Sequence, residues 1–250
     1  MQTMKTNTVL SASMLVLAMT ASAWAISPGT SASQGSAFSK ESQMTRESLF
    51  NGAPTRLGFG GYYADQKRGI DVRGNVQDWQ VRHTVGYVTV DIAPWLTLLG
   101  GGGESDLTRD GVSGDGDAEW IAGGTVRLFN YFAMDPIVGE DPYWLSIDLD
   151  TQYTGAKAGD LLWNELYSAL LFNITAHTER WGFMDRVTLY IGPAYSVIGG
   201  SDDSDSDIRE DQSFGLVVGV AFSPSDNLTI KTELQHFDDT TWGLGASYHF

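Results

Sequence analysis

The last ten residues, Thr241 to Phe250, read TWGLGASYHF and divide at every second position into two unlike faces. One face carries Trp242, Leu244, Ala246, Tyr248 and Phe250, and the other carries Thr241, Gly243, Gly245, Ser247 and His249. An apolar face with aromatic ends opposite a small polar face favours a strand in the wall of a closed membrane barrel. Strands of water-soluble sheets alternate too, so the rest of the chain has to decide between the two.

Earlier stretches repeat this division of faces. They are Arg56 to Ala64, His83 to Ile92, Leu96 to Glu104, Glu119 to Tyr131, Tyr143 to Tyr153, Leu166 to His177, Val187 to Val197, Ser213 to Ser223 and Leu228 to Phe237. We therefore predict an all-β fold, a closed antiparallel up-and-down transmembrane β-barrel of about ten strands, each of roughly 9 to 11 residues. Eight strands are the alternative, if the weakly patterned second and third stretches are misassigned. Pro193 lacks a backbone donor and predicts a bulge in its strand.

The connections between these stretches alternate in length. Long polar segments at 65–82, 105–118, 155–164 and 199–212 predict four of the five outer connections. Short breaks between strands two and three, six and seven, and eight and nine predict turns at the opposite membrane face. An even number of strands places the first and the last strand's free termini on the same side of the membrane. This agreement of loop lengths, strand number and face alternation carries the barrel prediction.

The N-terminal 25 residues have the pattern of a signal peptide. Lys5 precedes an apolar run at 14–19, and Ala23 and Ala25 occupy the two recognition positions of an A-x-A cleavage site. We predict domains at 1–25 (signal peptide), 26–54 (flexible periplasmic leader) and 55–250 (barrel). The Ser/Gly/Ala-rich leader has two alternatives, a plug in the lumen or a short helix around 40–50.

Composition excludes several classes of protein. The net charge of −16 disfavours nucleic acid as a partner. The absence of cysteine excludes lipidation, disulfides and cysteine-ligated zinc. We expect no cofactor and no metal centre, and the sequence leaves the oligomeric state open.

The pattern from Thr55 to Phe250, ending in the alternating strand and terminal Phe250, resembles small Gram-negative outer-membrane β-barrels of the opacity and outer-membrane protein A type. The resemblance implies location in the bacterial outer membrane after signal-peptide-dependent export. It also implies contact with outer-membrane lipid and lipopolysaccharide, and recognition of the C-terminal strand by the barrel assembly machinery.

Two sets of polar residues are candidate sites. Charged side chains on inward faces predict a lumen network: Arg56, Asp91, Glu119, Arg127, Asp148, Asp150, Lys231 and Glu233. An unpaired buried charge is costly, so we expect these groups to pair across the lumen. Asp202, Asp203, Asp205 and Asp207 are possible ligands of a loop cation, although their spacing departs from that of an EF-hand.

Aromatic residues near the predicted strand ends form a third set. We predict that they lie at the membrane interfaces: Trp120, Tyr143, Tyr153, Tyr195, Trp242, Tyr248 and Phe250.

Three functions are compatible with these features. The first is a non-enzymatic structural or surface-interaction role with a lumen filled by polar and charged side chains. The second is a narrow or gated porin-like channel for small solutes. The third is an omptin-like hydrolase at the outer rim, where His83, His236, Asp238 and Asp239 are predicted to lie.

Overall fold

All strands of the described chain join one antiparallel sheet that closes on itself. The structure is a computed structural model, and it describes residues 57–250 apart from 73, 94, 110–111, 114–116, 135–141, 159–160, 178–184 and 202–206. The strands are β1 (Leu57–Val72), β2 (Asn75–Ala93), β3 (Leu96–Arg109), β4 (Val112–Ser113), β5 (Asp117–Met134), β6 (Pro142–Ala158), β7 (Leu161–His177), β8 (Arg186–Ser201), β9 (Asp207–Glu210), β10 (Phe214–Ser223), β11 (Leu228–His236) and β12 (Thr240–His249).

The barrel closes where β12 pairs with β1, from Gly58↔His249 to Asp65↔Trp242. Ten strands form its wall, because β4 and β9 are short additions beyond the main circuit. The prediction of a ten-stranded closed barrel is confirmed, and the eight-stranded alternative is wrong. Within the described residues, no helix is long and apolar enough to cross a membrane.

The barrel has a proximal end and a distal end. The proximal end contains Leu57 and Phe250, whose backbones bond at 2.9 Å, and the distal end contains the β1–β2 turn. At that turn Gly74 has a φ of 83°, a left-handed conformation that suits glycine. The Gly74 amide donates to the Asp71 carboxylate at 2.7 Å, which fixes the turn.

The strands extend further than the sequence predicted, and all four segments predicted as long outer loops contain strand in consequence. Residues 65–82 were predicted as a polar loop, but β1 and β2 pair without interruption as far as Val72↔Asn75. The predicted loop at 155–164 is similarly occupied by the ends of β6 and β7, which pair as far as Ala158↔Leu161. The predicted loop at 199–212 contains the end of β8 and the short strand β9.

A reversal of polarity explains these errors. In the proximal part of the wall the outward residues are apolar, as Phe59 and Val88 show, whereas in the distal extension many outward residues are charged. The charged outward residues of the extension include Lys67, Asp78, Arg82, Glu104, Asp106 and Lys157. The inward residues there are apolar and buried: Ile70, Trp79, Val81, Leu107, Trp163 and Ile198. The extension thus follows the rule of a water-soluble sheet, with its apolar face inside.

The expected bulge at Pro193 is also wrong. Pro193 stays in register with Leu216 of β10, and pairing with β7 is only interrupted between Ala169↔Ala194 and Phe172↔Ile191. The sheet therefore accommodates a proline, which has no backbone N–H to donate, without the extra residue that a bulge would insert. The register shifts lie elsewhere, between Asp91 and Ala93 on β2 and between Arg127 and Phe129 on β5.

Candidate functional site

Aromatic pairs on the outer wall mark two levels. The distal level consists of Tyr63–Trp242, Trp120–Tyr153 and Tyr195–Phe214, with ring centroids 5.6, 5.4 and 4.9 Å apart. At the proximal level Phe59 contacts Tyr248 at 5.8 Å and Phe250 at 5.7 Å. Six of the seven predicted interface aromatics lie in these pairs. Tyr143, the seventh, is half-buried near the proximal end of β6 and pairs with Ala133 and Ala176.

The wall between the two levels is apolar on its outer face. Its large exposed residues include Val88, Leu98, Phe172, Leu189, Ile191, Leu216 and Leu244. Exposed apolar surface on this scale is exceptional for a protein surrounded by water. It is the expected surface of a strand wall in hydrocarbon.

The lumen is the candidate functional site, and its distal layer is apolar. Ile70, Trp79, Val81, Leu107, Ala156, Trp163 and Ile198 form one buried cluster inside the distal extension. They come from β1, β2, β3, β6, β7 and β8, so they converge from most of the circumference of the barrel. The layer closes the interior at this end with packed side chains.

A polar network lies directly proximal to this layer, and Arg68 is its centre. The Arg68 guanidinium donates to Glu210 of β9 at 2.5 Å and to Glu165 of β7 at 3.4 Å. Glu165 also accepts from Gln66 at 3.3 Å and from the Ser196 hydroxyl at 2.8 Å. The network therefore links β1 both to its short neighbour β9 and to β7, which is not its neighbour in the wall.

His83 continues the network toward β5. Its Nδ1 lies 2.8 Å from Glu119 Oε2, and its Nε2 lies 2.9 Å from Gln66 Oε1. The side-chain amide nitrogen of Gln66 donates to Glu165, so the amide oxygen of Gln66 is the atom that faces the imidazole. Both partners of His83 are acceptors in this arrangement. The geometry therefore fits a doubly protonated imidazolium paired with the Glu119 carboxylate.

A second network fills the middle of the lumen. Arg127 of β5 donates to Asp148 of β6 at 3.1 Å, and the Asn173 amide donates to the other oxygen of Asp148, also at 3.1 Å. Asp150, two residues further along β6, accepts from the Thr125 hydroxyl at 2.8 Å. All five side chains are buried. Each carboxylate thus has a hydrogen-bonding partner on a neighbouring strand.

The opposite wall supplies the remaining charges of this middle network. Glu233 of β11 accepts from the Tyr190 hydroxyl at 2.7 Å and lies 3.8 Å from Lys231 Nζ. Asp148 and Asp150 act electrostatically on Lys231 although β6 and β11 are not neighbours in the sheet. The charges therefore interact across the lumen. The middle network contains three carboxylates and two cations.

Glycines allow the large inward side chains to lie across the lumen. Tyr87 packs over Gly60 and Tyr190 packs over Gly219, each on the residue directly opposite in the neighbouring strand. A Cβ atom at either glycine would collide with the tyrosine ring. The inner wall is therefore shaped so that aromatic rings fill the space.

The predicted lumen charges divide into four groups. Arg127, Asp148, Asp150, Lys231 and Glu233 meet in the middle network. Glu119 belongs to the distal network, and Asp91 lies apart near the β2–β3 turn, half-buried and accepting from Thr97 at 2.7 Å. Arg56 lies outside the described residues. Among the described residues, Asp91 therefore bonds Thr97, the residue directly opposite it on the neighbouring strand β3, and not a group across the lumen as predicted.

Sequence reasoning missed much of the distal network. Gln66 and Arg68 lie in a segment that was predicted as loop, Glu210 lies in another, and Glu165 directly follows a third. His83 was considered only as a rim residue. An inward charge beside apolar inward neighbours, as in Arg68 and Ile70, is the one signal in the sequence that marks this layer.

The residues of the rim-hydrolase hypothesis do not converge. His83 is buried against Glu119, whereas His236 is exposed and bonds Thr240 at 2.9 Å. Asp238 accepts from the Gly69 amide, and Asp239 accepts from the Thr240 amide at 2.6 Å. Each group is thus engaged in local structure.

The structure brings no metal-binding cluster together in the part of the chain that it describes, where no three His, Asp or Glu side chains could hold an ion. Of the possible loop cation ligands, Asp202, Asp203 and Asp205 lie outside the described residues, and Asp207 begins β9. A loop cation site therefore stays a prediction.

No protein-family model matches this chain, and no curated protein matches it. Several solved structures are similar to it at low identity and with low TM-scores. Ail of Yersinia pestis, in complex with the heparin analogue sucrose octasulfate, is 15% identical with a TM-score of 0.29, over 78% of this chain and 97% of that one. An outer membrane channel from Pseudomonas putida F1 is 12% identical with a TM-score of 0.38, over 83% and 99%. The transport unit of the autotransporter AIDA-I from Escherichia coli is 8% identical with a TM-score of 0.35, over 80% and 90%.

The class is defined by the chain's own features: closure of ten antiparallel strands, an apolar outer belt between two aromatic levels, and a packed polar lumen. Together they are the features of a transmembrane β-barrel.

Proposed function

We propose that this chain is an integral β-barrel of a bacterial outer membrane with a structural or surface-interaction role and without a permanently open channel. The observation that carries the proposal is the packed lumen. Its distal layer is an apolar cluster, and its middle layer is a network of buried, hydrogen-bonded charges. A solute would have to displace both layers to pass.

The membrane setting is supported by the outer wall. Leu189 and Ile191 are 55% and 49% exposed on neighbouring outward positions of β8, and Phe172 is 46% exposed on the adjacent strand β7. Burial of such surface in hydrocarbon is favourable by roughly 25 cal/mol per Å². The charged outward residues begin only beyond the distal aromatic level. We infer that the distal end is extracellular and that it meets lipopolysaccharide.

The remaining parts of the proposal concern export and assembly. Residues 1–25 would direct export and be removed, and residues 26–54 would remain in the periplasm as a leader. The closing strand β12 would be recognised by the barrel assembly machinery. Phe250 directly follows β12 and is 70% exposed, so it is accessible to a partner.

Barrel size agrees with a closed lumen. Open porins use roughly 16 to 18 strands, whereas ten strands enclose a space that side chains can fill. Tyr87, Tyr190 and Phe237 are almost fully buried in this space. The narrow-channel hypothesis would require their displacement, and the rim-hydrolase hypothesis lacks converging groups.

Single-channel recording in planar bilayers tests the proposal. The wild-type protein is expected to show no steady openings. The quadruple variant Trp79→Ala/Trp163→Ala/Tyr87→Ala/Tyr190→Ala should conduct, because it removes large rings both from the apolar layer and from the lumen proximal to it. Trp120→Ala, an outward aromatic, is the matched control and should stay silent. Steady openings in the wild-type protein would contradict the closed-lumen proposal.

The barrel itself is checked separately by electrophoresis. A closed barrel is expected to migrate differently when boiled and unboiled in detergent. Identical migration, together with solubility without detergent, would contradict the membrane setting.

A further inference from the structure

The short strand β9 occupies a special place in the barrel wall. It pairs with β8 through Gly200↔Ile208 and with β1 through Val72↔Ile208. The strands β10, β11 and β12 end before this level, since the last pair between β12 and β1 is Asp65↔Trp242. β9 therefore fills, with four residues, the gap that three shorter strands leave between β8 and β1.

Two residues of β1 hold β9 in this gap. Arg68 bonds Glu210 at 2.5 Å, and the Gly69 carbonyl accepts from the Asp211 amide at 3.1 Å. The same two residues reach the β11–β12 turn below. Arg68 lies 3.7 Å from the centre of the Phe237 ring, and the Gly69 amide donates to Asp238. Arg68 and Gly69 thus join β9 to the rest of the distal end.

The Glu210 carboxylate sits in an unusual electrostatic environment. Its side chain is 1% exposed although it lies beyond the distal aromatic level. The charged groups that face it are one cation, Arg68 of β1, and two acids, Glu165 of β7 and Asp238 of the β11–β12 turn. Burial raises the pKa of Glu210 from 4.5 to about 7; the two acids raise the pKa as well, and Arg68 lowers it.

We propose that β9 is a strap that closes the barrel wall between β8 and β1 in acid and neutral solution and detaches from β1 as the solution becomes alkaline. The geometry supplies both parts of the device. The strap is short and held by few bonds, and its acid Glu210 is shielded from water with one cation, Arg68, and two acids, Glu165 and Asp238, facing it.

The direction of the effect follows from proton linkage. In a detached strap Glu210 is in water and has an ordinary carboxyl pKa, whereas in the closed strap its pKa is about 7. The closed form therefore binds the proton more tightly. Closure has its full stability below the ordinary carboxyl pKa and loses it as the pH rises through about 7. Between pH 6 and pH 9 the ratio of closed to detached strap should fall about tenfold.

Amide hydrogen exchange of the full-length protein in lipid vesicles tests the proposal. Protection is measured by mass spectrometry at pH 6 and pH 9, with the pH dependence of the intrinsic exchange rate divided out. In the wild-type protein, protection of the peptide 208–211 should fall about tenfold. Two reference peptides, one from the middle of β2 and one from the middle of β3, should keep their protection at both pH values.

Two variants separate Glu210 from general alkaline loosening. Glu210→Gln keeps the size of the side chain and an acceptor for Arg68 but cannot ionise, so protection at 208–211 should be the same at both pH values. Asp211→Asn, the adjacent exposed acid, should behave as the wild type does.

Protection at 208–211 that is independent of pH in the wild-type protein would overturn the proposal. This outcome is decided by the wild-type protein alone. Retention of the tenfold fall in Glu210→Gln would overturn it as well.

Discussion

His83 and Glu119 form a buried ion pair between β2 and β5, two strands that are separated in the wall by β3. The distance from Nδ1 to Oε2 is 2.8 Å, and the two side chains are 1% and 0% exposed. The pair therefore crosses the inner face of β3, the strand between β2 and β5. Since water does not reach either group, each depends on the other for its charge.

Removal of one partner of this pair should destabilise the barrel strongly. Glu119→Ala leaves the imidazolium buried without its counter-charge, and the loss of a partner in a buried ion pair typically costs about 3–5 kcal/mol. The midpoint of urea unfolding in lipid vesicles, followed by the electrophoretic shift on boiling, measures the effect.

Glu104→Gln provides the matched control for Glu119→Ala. Glu104 is an outward, exposed acid on β3, and its change should alter stability by less than about 0.5 kcal/mol. The double variant His83→Ala/Glu119→Ala should lose less than the sum of the two single variants. Strictly additive losses would show that the two groups are not coupled.

The charge balance of the middle network gives a second prediction. Lys231 is one of its two cations, and Lys231→Met leaves a single cation among Asp148, Asp150 and Glu233. We expect a large loss of folding yield in vesicles at neutral pH, because uncompensated charge is costly in a dry interior. Folding yield is measured as the fraction of heat-modifiable protein.

Two changes should restore folding of Lys231→Met. Asp150→Asn removes one of the excess carboxylates, and a lower pH allows the carboxylates to bind protons. Thr232→Val, the outward neighbour, is the control and should fold as well as the wild type. If Lys231→Met folds normally at neutral pH, Lys231 is not needed to balance the network.

The lipid-facing part of the fold was predictable from the sequence because one physical requirement acts on it throughout. Every second residue must suit hydrocarbon, so the alternation of β12 recurs in the other wall strands. Five members of the middle network are predictable for the same reason. Asp148, for example, alternates along its strand with the apolar residues Ile147 and Leu149, so it has to point inward when they point outward.

The distal end was not predictable by that rule. There the outward face meets water, so Lys67 and Arg82 point out while Ile70 and Trp79 point in. A rule that requires the outward residues to be apolar predicts a loop where this pattern is reversed. The pairing of Arg68 with Glu165 and Glu210 depends in addition on how the sheet closes, and residues 97 and 142 positions apart give no local signal of contact.

The tyrosine packed over glycine gives a third prediction. Gly219→Ala places a methyl group against the Tyr190 ring and should destabilise the barrel by about 1–3 kcal/mol, the usual cost of overpacking. Gly100→Ala is the matched control, since a Cβ there would meet nothing closer than the Ile121 carbonyl at 4.0 Å. Urea midpoints in vesicles compare the two variants. Equal midpoints would mean that Tyr190 moves aside without cost.

The terminal phenylalanine gives the last prediction, which separates assembly from stability. Phe250 is 70% exposed, its amide donates to the Leu57 carbonyl at 2.9 Å, and its ring contacts Phe59 and Tyr248. Phe250→Ala keeps the backbone bond and loses only the partial packing of an exposed ring. The stability of the refolded barrel should therefore fall by less than about 1.5 kcal/mol.

Delivery to the membrane should respond differently if the assembly machinery reads Phe250. The amount of heat-modifiable Phe250→Ala protein in outer-membrane fractions should then fall several-fold, although the purified variant refolds in vesicles with wild-type yield. Phe222→Ala, an outward ring at the proximal end of β10, is the control and should reach the membrane normally. Equal amounts of the two variants in the membrane would show that the terminal ring is not the feature that is recognised.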